Sequence, residues 1–414
     1  MRILIATAGS RGDVAPYTGV GAALTRAGHQ VTLAATDGFA GLARGAGLGF
    51  RPLPADPRAH GGAGSRRDLM RTAAAFVTEL GRGFADAVTD DTELLLLSAT
   101  TAPLGWHLAE ATGLPSIGLY LQPTAPTGDF PPVVAGARSL GRAGNRAAGR
   151  LALRMTDRIY APAVAELRRR LGLPPLTAAA MRRRRERAHW PVLHGFSTAL
   201  VPRPADWRPG LEVAGTFQPH LGTGERLPAA LEDFLRAGPR PVLVGFGSMA
   251  AGQGERLSEI AVAALRRAGL RGILQSGAAG LAADGDDLLT VGEVPHALLF
   301  PRLAAVVHHA GAGTTAAALR AAVPSVAVPA AADQPFWAAR LAALGAAAAP
   351  VPLRGLTVER LAAALTEVTG RQTYAAAAAR AARHMALEDG ADRVRAAVER
   401  VAGRRDGQGA FAGQ

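Results

Sequence analysis

Residues His308-His309-Ala310-Gly311-Ala312-Gly313-Thr314-Thr315 put small side chains, hydroxyls and a histidine between an apolar run, Ala305-Val306-Val307, and a helix-forming stretch, Ala316 to Ala321. Small residues let the backbone approach a bulky anion, and the free N–H groups at a helix start, with the helix dipole, attract negative charge. A diphosphate fits such a turn, and His309 can add a hydrogen bond or a positive charge to a leaving group. A plain strand-to-helix turn with a packed histidine fits the same residues, so the neighbouring sequence decides.

The next apolar run, Ser325 to Val328, is followed by Pro329-Ala330-Ala331-Ala332-Asp333-Gln334-Pro335-Phe336-Trp337. Asp333 and Gln334 then lie just past a strand end, beside the phosphate turn. A carboxylate next to an amide offers acceptors and donors to a row of vicinal hydroxyls. Phosphate turn and hydroxyl clamp together describe a nucleotide sugar.

The elements that must position these residues follow an alternating pattern. Arg2 to Thr7 is an apolar run ending in Gly9-Ser10-Arg11-Gly12, followed by a helical stretch and then Val31 to Ala34; Leu94 to Leu97 and Ser116 to Tyr120 continue the series. A second series runs through Pro241 to Phe246, Gly272 to Gln275, Leu289 to Val291, Ala305 to Val307 and Ser325 to Val328. Strands joined by crossover helices build parallel sheets, and such sheets bind ligands at the carboxyl ends of their strands. The expected class is α/β, with two Rossmann-like doubly wound domains facing each other across a cleft. The expected boundaries are 1–205 for an acceptor domain, 206–222 for a connection rich in Pro and Gly with Trp207, 223–403 for a donor domain whose last helix can return to the first, and 404–414 for a flexible tail.

Composition bounds the alternatives. A chain of 414 residues, 49% of them apolar, is long enough for two cores. It holds no cysteine, which excludes disulfides, thiolate nucleophiles and cysteine-held metals. The formal charge of +13 comes entirely from arginine, with no lysine. Its densest run, Arg182 to Arg185, lacks the interleaved aromatics of a single-strand binder, so no nucleic-acid partner is expected. The start MRILIATAG lacks the long apolar stretch of a signal peptide, and no apolar run reaches membrane-spanning length, so a cytoplasmic location without membrane insertion is expected. The ten histidines are scattered apart from His308 and His309, and Asp284-Gly285-Asp286 reads as a surface loop, so no metal site is expected. A monomer or homodimer is the expected state.

His308 to Thr315, Val323-Pro324, Val328-Pro329 and Asp333 to Trp337 together resemble the donor signature of the nucleotide-sugar glycosyltransferases with the GT-B fold, in the branch that glycosylates sterols and bacterial antibiotics. Gly9-Ser10-Arg11-Gly12-Asp13-Val14, Gly195-Phe196-Ser197, Val201 to Trp207 and Gly245-Phe246-Gly247-Ser248-Met249 match in the same order, so the resemblance covers nearly the whole chain. It implies that His309, Gly311, Gly313 and Thr314 hold the diphosphate with Ser248 and Ser10, that Asp333 and Gln334 hold the sugar, and that Val294, in Val291 to His296, meets a pyrimidine base with Gln275 nearby. It also implies an inverting, metal-independent transfer from a UDP- or TDP-sugar, with no other cofactor. Asp13 corresponds to the general base of many relatives, the other readings of this residue being a helix cap or an acid fixed to Arg11.

Two positions depart from the family pattern: Ala310 where Gly is usual, and Ala317 where plant relatives carry a ribose-binding Glu. The Gly-, Pro- and Ala-rich stretches at 56–71 and 124–145, with Phe130, Pro131 and Val133, are the expected walls of a pocket for a small apolar acceptor such as an antibiotic, polyketide or sterol. Two further readings share the same plan: a nucleotide-sugar epimerase, and a non-catalytic donor-binding auxiliary protein.

Overall fold

The computed structural model describes residues 1–54, 66–247 and 250–411, except the side chains of 66–70 and 404–411. The first half contains β1 (Arg2–Ala6), α1 (Arg11–Arg26), β2 (Gln30–Ala35), α2 (Ala40–Gly45), β3 (Gly49–Pro52), α3 (Arg66–Ala87), β4 (Leu94–Leu97), α4 (Ala102–Thr112), β5 (Ser116–Tyr120), α5 (Gly141–Arg170), α6 (Ala178–Arg187), β6 (Val192–His194) and β7 (Leu211–Val213). The second contains α7 (Ala229–Arg236), β8 (Val242–Gly245), α8 (Gly254–Arg267), β9 (Gly272–Gln275), β10 (Leu288–Val291), α9 (His296–Leu299), β11 (Ala305–His308), α10 (Ala312–Arg320), β12 (Ser325–Ala327), α11 (Gln334–Leu344), α12 (Val358–Gly370), α13 (Gln372–Met385) and α14 (Gly390–Phe411).

Each half forms a parallel sheet. The first has the order β3-β2-β1-β4-β5-β6-β7 and the second β10-β9-β8-β11-β12. The central strands read as unbroken apolar runs because both faces are covered: every residue of Leu94 to Leu97 is fully buried. In the first sheet the strand order reverses between β1 and β4, in the second between β8 and β11. A doubly wound sheet opens a crevice at that reversal, so the turns after β1 and β11 stand where ligands bind. The first leads into Asp13 at the start of α1, and the second contains His309.

Three boundaries differ from the sequence expectation. Strand β7 pairs with β6, so the segment expected as a connection contributes the edge of the first sheet. Trp207 belongs to that packing, stacked on His194 at 4.6 Å between centroids. Helix α10 starts at Ala312, four residues before the expected start, because Gly311 adopts an extended N-cap (φ −65, ψ 148) and Gly313 and Thr314 complete the first turn. Helix α14 continues to Phe411 through most of the expected tail, while 412–414 lie outside the described residues.

The two halves are tied together. Val394, Ala397 and Val398 of α14 are buried in the first-domain core with Ile3, Ile5, Val14 and Tyr17. On the cleft side, Phe130 meets Phe336 edge-on at 5.4 Å, and the Arg340 guanidinium lies 5.2 Å from the centroid of each ring.

Candidate active site

Asp13 is the third residue of α1. Ser10 is the N-cap, and its peptide N–H and hydroxyl both donate to Asp13 Oδ2, at 2.8 and 2.9 Å. The cap reading is thus realised in part, with Asp13 as the acidic half of a capping box. Arg11 is engaged elsewhere, with Glu293 at 3.0 Å. Burial pushes the Asp13 carboxyl above its ordinary value, and the two Ser10 bonds hold it down by less. Gly9, at φ +147, has no room for a side chain: a Cβ there would collide with the Asp13 carboxylate.

Across the cleft, α10 presents an open first turn. Gly313 is exposed and a Cβ added there would meet nothing within 4 Å; Thr314 is half-buried beside it. The His309 ring lies between two glycines: a Cβ at Gly311 would come within 2.6 Å of Nε2, and one at Gly247 within 2.7 Å of Cε1. Its Nδ1 is buried without a partner. Desolvation pulls His309 down to about 4, so at neutral pH the ring is uncharged. Of the two roles the sequence offers His309, a hydrogen bond or a positive charge, this burial favours the first, because a desolvated imidazolium is costly. What the ring retains is a neutral N–H donor.

His308 points inward. It is 1% exposed, and its Nδ1 accepts the Ala310 N–H at 3.1 Å. That bond helps hold Ala310 at φ +60, a left-handed conformation that explains why glycine is usual at this position. Ser10 spends its hydroxyl on Asp13, and Ser248 lies outside the described residues.

Asp333 is the N-cap of α11. Its Oδ2 accepts Trp337 Nε1 at 2.8 Å and, from the other domain, Gln122 Nε2 at 2.7 Å. Burial raises its pKa, and the nearby charge of Asp13 raises it further. The two carboxylates are thus close enough to sense each other across the cleft. Gln334 is tied to its own loop. It is 4% exposed, and its Oε1 accepts the N–H groups of Ala330 and Ala331 at 2.8 and 3.3 Å. That oxygen fixes the loop that carries Asp333.

Val294 lies in the turn between β10 and α9, 9% exposed. Gln275, at the end of β9, donates to Gly292 O at 3.5 Å and tethers that turn. Ala317 packs against the apolar cluster around Phe300 and Leu319's neighbour Ala318. Phe130, Pro131 and Val133 are all buried. Phe130 and Val133 share a cluster with Phe336 and Trp337, so these two side chains pack into the seam between the domains. Most of 56–71 lies outside the described residues. Asp284 and Asp286 are exposed in the loop before β10, and among the described residues no group of three or more His, Cys, Asp or Glu could hold a metal.

Gln122 was not singled out from sequence. It follows β5 by two residues, so the carboxyl-end rule that locates Asp13 also covers it. Nothing about an isolated glutamine shows that it bridges two domains.

The second half matches the erythromycin biosynthesis protein CIII-like C-terminal domain over residues 275–401, and the first half matches the glycosyltransferase family 28 N-terminal domain over residues 3–89. The O-mycaminosyltylonolide 6-deoxyallosyltransferase of Streptomyces fradiae is 37% identical over 421 residues, covering 96% of this chain and 97% of that protein. This chain belongs to the sterol and antibiotic branch of the GT-B glycosyltransferases. The glycosyltransferase is also 32% identical to a sterol 3-beta-glucosyltransferase of Arabidopsis thaliana, over 87% of its own length and 59% of the plant protein's. Its fold is that of the Streptomyces glycosyltransferase SsfS6, solved with thymidine diphosphate: TM-score 0.65 and 22% identity over 96% of this chain and 99% of that one. Among the described residues, no helix of the glycosyltransferase is long and apolar enough to cross a membrane.

Proposed function

We propose that the enzyme is an inverting, metal-independent glycosyltransferase that moves a sugar from a TDP- or UDP-sugar to a hydroxyl of a small apolar acceptor. The observation that carries this reading is that Asp333 is reached from the first domain by Gln122 at 2.7 Å, with Asp13 in the first turn of α1 and the first turn of α10 open. In it, Asp13 removes the proton of the acceptor hydroxyl, and the oxygen forms a bond to the anomeric carbon as the bond to the diphosphate oxygen breaks on the opposite face. The proton ends on Asp13, and the configuration inverts.

The leaving diphosphate then meets the N–H groups of Gly313 and Thr314, the α10 dipole and the neutral N–H of His309. These supply the charge stabilisation that a metal gives other transferases. Asp333 takes sugar hydroxyls, while Gln334 acts by holding the loop. The turn around Val294, tethered by Gln275, takes the pyrimidine. Thymidine diphosphate, present in the solved SsfS6, is the first nucleotide to test.

The test incubates the enzyme with TDP- and UDP-glucose and a panel of polyketide, peptide and sterol acceptors, in the presence of a chelator, and assigns the anomeric configuration of the product by NMR. A product of opposite configuration to the donor supports the reading. Retained configuration, or activity restored only by magnesium, overturns it.

A further inference from the structure

Asp333 Oδ2 has two donors, and they differ in kind. Trp337 stands one turn along the same helix and is 1% exposed, so its Nε1 is a fixed partner. Gln122 reaches in from the other domain on a half-buried, unbranched side chain, so its amide can leave. The carboxylate needs such partners. It is withdrawn from water, and a buried carboxylate left short of donors is costly.

We propose that Gln122 is a specificity-determining residue: its amide stands in for a sugar hydroxyl at Asp333 Oδ2, so that the enzyme accepts deoxysugar donors alongside fully hydroxylated ones. The inference rests on the reading of Asp333 as a sugar ligand. A donor with a hydroxyl at this point donates it to Oδ2 and displaces Gln122. A donor without one leaves Gln122 in place, and the carboxylate stays satisfied. Sites built to hydrogen-bond a substrate hydroxyl, with no substitute, reject the analogue lacking it by about 10⁴- to 10⁵-fold, because their own groups are left unpaired. A resident amide removes that penalty.

The experiment measures kcat/KM for TDP-glucose and its 2-, 3-, 4- and 6-deoxy analogues with the wild type, Gln122→Ala, Gln122→Asn and Asp333→Ala. In the wild type, each deoxy donor is expected within about tenfold of TDP-glucose, against the 10⁴-fold of an unrelieved site. In both Gln122 variants the ratio should rise at least tenfold for one position alone, the others holding, with the affinity for TDP unchanged. A purely structural role would lower all five donors together. A wild-type preference of 10⁴ for the hydroxylated sugar overturns the proposal without any variant, as do ratios that stay fixed or move together in the Gln122 variants. Asp333→Ala separates the two readings: if it changes no donor ratio, Asp333 is not the sugar ligand. If it changes one ratio and the Gln122 variants change none, only the role of Gln122 fails.

Discussion

Ser10 holds Asp13 twice, by its peptide N–H at 2.8 Å and its hydroxyl at 2.9 Å, both on Oδ2. Both bonds favour the anion against the burial that disfavours it. Ser10→Ala removes the hydroxyl bond and should move the acid limb of the kcat/KM profile to higher pH, with little change in donor KM. If Ser10 instead binds the diphosphate, the profile stays in place and donor KM rises.

Asp13 and Asp333 both have carboxyls pushed above their ordinary value. A raised folded value means the protonated form is favoured by folding: the contribution is fully present below the unfolded value, near 3.8, and is lost as pH rises through the folded one. Asp13→Asn should therefore unfold at a higher temperature than the wild type at pH 7, with the gap closing toward pH 3. The comparison must be made between the two proteins, since acid alone weakens both. His107, His194, His296 and His309 are lowered to about 4 and His308 to about 3, so their contribution is lost as pH falls below 6.5. Calorimetric scans of both proteins across this range check the sign.

Two glycines of one turn should respond in opposite ways. At Gly311 the backbone suits any residue, but a methyl meets His309 Nε2 at 2.6 Å. Gly311→Ala should cut kcat/KM by roughly a hundredfold through the displaced ring and cost about 1 kcal/mol of stability, because Ala is a poorer N-cap than Gly. At Gly313 a methyl meets open space, so Gly313→Ala should stabilise α10 by about 0.5–1 kcal/mol while raising the donor KM. An unchanged KM would mean that the diphosphate sits elsewhere.

The fold and the turns after β1 and β11 were legible because each rests on a local pattern: apolar runs of strand length, small residues at a strand end, an acid after β1. What the sequence leaves open is which partner each side chain finds once the chain folds. Phe130 looks like a pocket wall in sequence and becomes a seam only because Phe336 and Arg340 arrive from 200 residues away. Gln334 looks like a ligand beside Asp333, yet its oxygen is claimed by Ala330 and Ala331 once the loop closes. Gln122 carried only its place after β5, since its meaning lies in Asp333.

The most direct measurement compares the single-turnover rate of Asp13→Asn with the wild type, alongside the affinity of each for TDP. The mechanism requires a fall of about a hundredfold or more, the range of a lost general base, with the nucleotide bound as tightly as before. A variant that transfers sugar at the wild-type rate would show that some other group takes the acceptor's proton.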